Sequence, residues 1–283
     1  MWLTRFAPAP TGYLHLGHVV NALHVWNEAR AHGGRVLLRI EDHDRERCRS
    51  DYEIAILDDL DWLGFVPDFY PTDVFRSGPC ESRQSDRGRT YAAMAKRLRS
   101  QGLLYACRCS RKTLHRASVK AESQTSDTVT FGSSTEIPYA GTCRNLGLPF
   151  EGEFGWRVRL PATPVTFEDR WCSRRTHVPA DQSGDLLIRD RRGNWTYQFV
   201  ATVDDYVQGI TDVIRGTDLL PSTGRQITLG RLLGRIVPAA FAHHALLMKS
   251  PTQKLSKSDR DTGVRDLRAR GWTREQVLAA ATT

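Results

Sequence analysis

Nowhere in the 283-residue sequence do 18 apolar residues run together, so no segment is suited to cross a membrane as a helix. The N-terminal stretch Met1-Trp2-Leu3-Thr4-Arg5 lacks the basic start and long apolar core of a secretory signal. Cysteine is sparse, six residues, and a chain of this length can bury a core without disulfide staples. With no export signal the thiols are expected to stay reduced and the protein to be cytoplasmic. Lysine is scarcer than its charge balance implies, six of 40 basic residues. Arginine in its place suits two-pronged recognition of carboxylate and phosphate, although GC-rich coding gives the same bias. No internal repeat is present.

What is present is an ordinary globular balance, 40% apolar and 25% charged residues, enough for one or two domains. Forty basic against 32 acidic residues leave a net charge of +8, which favours a polyanionic partner. Residues 3–7 read as a strand, stopped by Pro8, Pro10 and Gly12. Residues 16–31 carry Val19, Leu23 and Trp26 at helical spacing, and Gly33-Gly34 ends that helix. A second strand at 35–40 and a second helix capped by Ser50 complete a strand–helix–strand–helix unit, which predicts a parallel sheet. A further helix is expected at 86–101, a strand at 156–160 and a hairpin over 185–203. Helices are expected after Ser222 and from Arg274 to Ala281. Residues 117–136, nine of them Ser or Thr, read as a mobile loop.

Two segments carry chemistry. In Arg5-Phe6-Ala7-Pro8-Ala9-Pro10-Thr11-Gly12-Tyr13-Leu14-His15-Leu16-Gly17-His18 a strand end leads through a Pro/Gly loop into a helix N-terminus, a natural phosphate site. His15 and His18 can both face a phosphate there, and Gly17 lets a planar ring approach the backbone. Lys254-Leu255-Ser256-Lys257-Ser258 places two lysines on a loop that can fold over a triphosphate. Cys107 and Cys109, two apart, form a metal-binding hook. Residue chemistry alone leaves the remaining ligands open, with His115 and Cys172 as candidates.

The HLGH and KLSKS pair resembles the signatures of class I aminoacyl-tRNA synthetases. The stretch Arg39-Ile40-Glu41-Asp42-His43-Asp44 and the run from Val203-Asp204-Asp205 through Ile214-Arg215-Gly216-Thr217-Asp218 to Arg225-Gln226 narrow this to the glutamyl group. The chain stops where a full glutamyl-tRNA synthetase continues into an anticodon-binding region, and it carries Cys-x-Cys followed by Tyr-x-x-x-Cys. It therefore resembles the glutamyl-Q tRNA(Asp) synthetase family.

That resemblance implies a doubly wound α/β fold with a Rossmann-type parallel sheet, a zinc-containing insertion and a short C-terminal segment. The expected divisions are 1–99 and 186–245 for the nucleotide-binding halves, 100–185 for the insertion and 246–283 for the KLSKS loop and last helix. It implies ATP and Mg²⁺ as a substrate complex, with His15, Gly17, His18 and Lys257 on ATP, and His15, His18, Lys254 and Lys257 stabilising the reacting phosphate. Arg5, Ala7, Ala9, Glu41, Tyr197 and Arg215 would hold L-glutamate. Ala9 stands where the family carries Ser, so a hydroxyl contact is lost. A structural zinc would sit on Cys107, Cys109, Tyr139 and Cys143. The expected partner is the anticodon arm of tRNA(Asp), met by a monomer with no membrane attachment, and the acceptor is queuosine. Two other readings are a short synthetase charging a tRNA 3′ end and an inactive tRNA-binding paralogue.

Overall fold

The computed structural model describes residues 1–110, 112–114, 138–250, 253–254 and 263–282. In chain order its elements are β1 (Leu3–Phe6), α1 (Leu16–Ala31), β2 (Arg35–Leu38), α2 (Ser50–Leu63), α3 (Thr72–Arg76), α4 (Gly88–Ser100), β3 (Leu104–Cys107), β4 (Gly155–Val158), β5 (Val165–Asp169) and β6 (Ser173–His177). They continue as α5 (Pro179–Ser183), β7 (Leu186–Arg189), α6 (Tyr197–Val207), β8 (Asp212–Gly216), α7 (Thr223–Leu232), β9 (Ala240–His244), β10 (Met248–Ser250), β11 (Gln253–Lys254), α8 (Val264–Ala269) and α9 (Arg274–Ala280). A 3-10 turn, Gln84–Arg87, leads into α4.

The sheets are mixed. β1 pairs with β2 in parallel, and β8, β9 and β5 form a parallel run that β6 extends antiparallel. β1 lies beside β8, tied by Leu3 N–H to Thr211 Oγ1 at 2.8 Å and by Thr211 N–H to the Leu3 carbonyl at 2.9 Å. β3, β4 and β7 make a separate antiparallel sheet. The expected parallel sheet is found in the strands around β1, β2, β8, β9 and β5, while the structure as a whole has mixed sheets.

Strand alternation explains why this parallel region is buried on both faces. Val36, Leu38, Ile214 and Ala242 point to a core shared with α1, α2, α8 and α9. Their neighbours Leu37, Val213 and Phe241 point the other way, to a core with Leu3, Val165, Phe167 and Ile227. A third core joins α4, α6 and α7 to the antiparallel sheet through Tyr91, Leu98, Val158, Ile188, Phe199, Val203 and Leu229.

Two expectations are corrected here. The hairpin over 185–203 is only half present. β7 and the turn form as read, and Arg189 bridges Trp195, but Thr196 then becomes the N-cap of α6. Trp195, Tyr197 and Phe199 alternate as a strand would, yet Phe199, Val200 and Val203 fall on one helical face and are fully buried, and that packing decides the conformation. The second helix is capped by Arg49, with Ser50 as its first residue. The loop read at 117–136 lies outside the described residues.

Helix α6 also binds the architecture electrostatically. Asp204, fully buried, accepts from Arg87 Nε at 2.7 Å, Gln84 Nε2 at 2.9 Å and the Tyr91 hydroxyl at 3.0 Å, joining α6 to the start of α4. Asp204→Asn turns an acceptor-only group partly into a donor facing three donors and leaves Arg87 without its counterion. Urea unfolding should show a loss of about 3–5 kcal/mol, the cost of breaking a buried ion pair. A loss under about 1 kcal/mol would mean that this network does not hold the layers together.

Candidate active site

The ends of β1, β2 and β8 bring charged residues close together. Past the strand ends the β1 and β2 chains stay in register, with Arg39 N–H on the Phe6 carbonyl at 2.9 Å and Glu41 N–H on the Pro8 carbonyl at 3.0 Å. The loop holding Ala7 and Ala9, both half-buried, is thereby fixed against Glu41. Arg5 is buried and donates from Nε to Asp205 at 3.1 Å and from Nη1 to the Ile214 carbonyl at 3.3 Å. Arg39, fully buried, donates to the same Asp205 oxygen at 2.7 Å and to Gln208 at 2.9 Å, with Nη1 3.7 Å from Glu41 Oε1. Burial opposes ionisation of Asp205, but Arg5 and Arg39 overcome it and hold its carboxyl below the ordinary carboxylate range.

Glu41 is the opposite case. Burial pushes its carboxyl up to about 7, and Arg39 and Arg5 only partly offset that. Tyr197, first residue of α6, has its hydroxyl pushed up to about 12 by burial and by Glu41, while Arg215 and Arg5 pull it back. Tyr197, Glu41, Arg5 and Arg215 are thus near enough to influence one another's ionisation. Arg215, buried on β8, donates to His243 Nε2 at 2.9 Å, Gln226 Oε1 at 2.7 Å, Thr223 Oγ1 at 2.9 Å and the Leu219 carbonyl at 3.3 Å.

At the end of the β1 loop His15 is the N-cap of α1. Its Nδ1 accepts from Gly17 N–H at 3.1 Å, and His18 Nδ1 accepts from His15 N–H at 3.1 Å. Both Nδ1 atoms are acceptors, so each neutral ring carries its proton on Nε2, a donor suited to phosphate oxygen. The ring centroids are 3.9 Å apart. A Cβ at Gly17 would sit 2.9 Å from His15 Cε1, so the close imidazole requires glycine there. Gly263, just beyond the KLSKS segment, bridges His15, and Val264 N–H bonds the Leu14 carbonyl at 2.9 Å. The backbone of Lys254 is described, in β11; its side chain and all of Lys257 lie outside the described residues.

The Sγ atoms of Cys107, Cys109 and Cys143 all lie within 4.8 Å of one another. Cys109 and Cys143 are 3.6 Å apart, close to the ~3.8 Å edge of a tetrahedron with Zn–S bonds of about 2.3 Å. The Tyr139 hydroxyl is 3.5 Å from Cys107 Sγ and accepts from Cys143 N–H at 2.7 Å. Gly184, at φ 64°, pairs with Tyr139, and a Cβ there would meet the Tyr139 carbonyl at 2.0 Å. Cys172 lies elsewhere, its Sγ 3.4 Å from the His243 carbonyl, and His115 is outside the described residues.

Residues 2–282 match the family model of tRNA synthetases class I (E and Q), catalytic domain. The glutamyl-Q tRNA(Asp) synthetase of Cupriavidus metallidurans is 42% identical over 89% of this chain and 76% of its own length. That of Rhodobacter capsulatus is 38% identical over 95% of both chains. The chain belongs to the glutamyl-Q tRNA(Asp) synthetase family. A crystal structure of a glutamate tRNA ligase from Elizabethkingia meningosepticum, in complex with its amino acid, superposes with a TM-score of 0.75 at 28% identity. The match covers 96% of this chain and 53% of that one, so the chain spans about half its length. The fold is therefore the class I synthetase catalytic fold with mixed α/β sheets. Among the described residues no helix is long and apolar enough to cross a membrane.

In this class I synthetase chain the residues that bond to Arg5, Arg215 and Glu41 carry no recognisable sequence signature. Arg39, Asp205, Asp169 and His243 received no role. The adjacent acids in an otherwise apolar α6 were the available signal for Asp205, since such charges are seldom buried without partners. Nothing local marked Asp169 or His243.

The folded protein holds the Glu41 proton more tightly than the unfolded chain, whose ordinary value is 4.5. Its contribution to stability is thus full below about pH 4.5 and is lost as pH rises through 7. Carboxyl-carbon NMR, assigned with Glu41→Gln, should show this group titrating near 7. A midpoint in the usual carboxylate range would contradict the burial argument.

Proposed function

We propose that the chain activates L-glutamate with ATP and transfers the glutamyl group to queuosine in tRNA(Asp). The observation that carries this reading is the electrostatically coupled group Arg5, Arg215, Glu41 and Tyr197, with the His15–His18 cap at the start of α1, in a chain about 40% identical to proteins named for that reaction. A substrate with two carboxylates and an ammonium needs cationic forks and one anion. Arg5 and Arg215 supply the forks and Glu41 the anion. The arriving ammonium would displace the Glu41 proton. Tyr197 lines the wall, and the Ala7 and Ala9 backbone closes the side where Ala9 offers no hydroxyl.

In the first step an α-carboxylate oxygen attacks the α-phosphorus of ATP, supplied as its Mg²⁺ complex, and pyrophosphate leaves. His15 and His18 donate from Nε2 to the phosphate, Gly17 admits the nucleotide, and Lys254 and Lys257 neutralise the leaving charge. In the second step an acceptor hydroxyl attacks the activated carbonyl, and AMP leaves with the bond electrons. Cys107, Cys109, Tyr139 and Cys143 would hold a structural zinc, which fixes the fold of the segment between the two nucleotide-binding halves. We place those halves at 1–99 and 186–245, the insertion at 100–185 and the KLSKS segment at 246–283, with β5 and β6 crossing from the insertion to the sheet of β8 and β9, and β7 pairing back onto β4. The chemistry needs no membrane and no second subunit, and it suits a cytoplasmic monomer that meets the tRNA anticodon arm through phosphate contacts.

The test is transfer of labelled glutamate to an isolated anticodon stem-loop of tRNA(Asp). Label should enter the queuosine-containing loop and not its guanosine counterpart, and transfer should fall steeply with salt. Label at the 3′ end of a glutamate tRNA would establish a charging enzyme instead, and no glutamate-dependent pyrophosphate exchange would establish an inactive paralogue.

A further inference from the structure

Resting on that reading, we propose that the buried Asp169–His243 pair is a positioning device for Arg215, one that orients its guanidinium without neutralising it. The three residues lie on three adjacent strands, β5, β9 and β8, with Arg215 directly opposite His243. Both side chains of the pair are fully buried. Arg215 Nε can only donate, so His243 Nε2, 2.9 Å away, must accept. The imidazole proton therefore sits on Nδ1, 2.5 Å from Asp169 Oδ2. Asp169 is itself aimed by the backbone N–H groups of Trp171 and Cys172 on Oδ1, at 3.1 and 2.8 Å. The Phe241 ring, with the Arg215 guanidinium 5.3 Å from its centroid, closes one side.

The contrast with the neighbouring arginines gives the arrangement its meaning. Arg5 and Arg39 share the one Asp205 carboxylate, so part of their charge is offset where they stand. Arg215 makes no ion pair among the described residues. Its four acceptors are an imidazole, an amide, a hydroxyl and a carbonyl, all neutral. The nearest anion on that side, Asp169, is separated from it by the width of the imidazole. Burial and the charge on Arg215 push His243 down to about 4, which keeps the ring neutral during turnover. The guanidinium is thus held in place by groups that leave its charge available to a substrate carboxylate.

The experiment is glutamate-dependent pyrophosphate exchange on the full chain, with KM for glutamate and for ATP measured separately. His243→Glu puts a carboxylate against Arg215 and should raise the glutamate KM by about tenfold or more, the weight of one charge-assisted contact. The ATP KM should stay within about twofold. His243→Gln, whose Oε1 replaces the Nε2 acceptor without charge, should recover most of the loss. Asp169→Asn serves if the glutamate variant fails to fold, and should raise the glutamate KM alone. Folded variants with unchanged glutamate KM, or with both KM values raised equally, overturn this inference while wild-type exchange leaves the functional reading standing. Wild-type protein without glutamate-dependent exchange overturns both.

Discussion

Two adjacent carboxylates on one buried helix organise three arginines that arrive from separate stretches of the chain. Asp205 holds Arg5 from β1 and Arg39 from the end of β2, and Asp204 holds Arg87 at the start of α4. Charges removed from water cost several kcal/mol each unless they are met by partners of the right sign and geometry. The strand ends, the loop through Ala7 and Ala9, and α6 are therefore constrained together. Moving one of them strands a charge belonging to another. The proposed substrate pocket lies between these fixed charges, with Glu41 beside Arg39 at 3.7 Å and Arg215 making no ion pair among the described residues.

This arrangement separates two kinds of positive charge. Arg5 and Arg39 share one carboxylate, Asp205, which fixes both in place and offsets part of their charge. Arg215 is held by neutral acceptors and keeps its attraction for an anion. Preorganised charge of this kind costs no reorganisation when the substrate arrives, which is the condition under which a buried electrostatic contact contributes most. The same logic applies to the α1 cap. His15 and His18 are locked by backbone N–H groups into the tautomer that presents Nε2–H, and Gly17 permits that closeness.

The sequence made the β1–α1–β2–α2 unit legible because period and punctuation agreed. Strand runs ended at proline or glycine, and helix runs carried apolar residues three and four apart. It misled where the two periods overlapped. Trp195, Tyr197 and Phe199 alternate like a strand, but burial of Phe199, Val200 and Val203 against α4 and α7 selects a helix. The candidate substrate residues could be named because they fall in recognisable stretches. Their supports could not, since Asp169 and His243 meet only through strand pairing between distant segments, and no local pattern encodes that. The thiol cluster was legible from the Cys-x-Cys hook, but its closure by Tyr139 depends on Gly184, more than 40 residues on.

The claim that buried anions preorganise the pocket is tested most directly at Asp205. Asp205→Asn keeps the shape and one acceptor but removes the charge that Arg5 and Arg39 share. Calorimetric titration of glutamate into folded variant and wild-type protein measures the consequence without any turnover. The account predicts that the variant remains folded in native buffer, is less stable, and binds glutamate at least about tenfold more weakly, as expected when a charged contact loses its alignment. Glutamate affinity equal to wild type in a folded Asp205→Asn protein would contradict it.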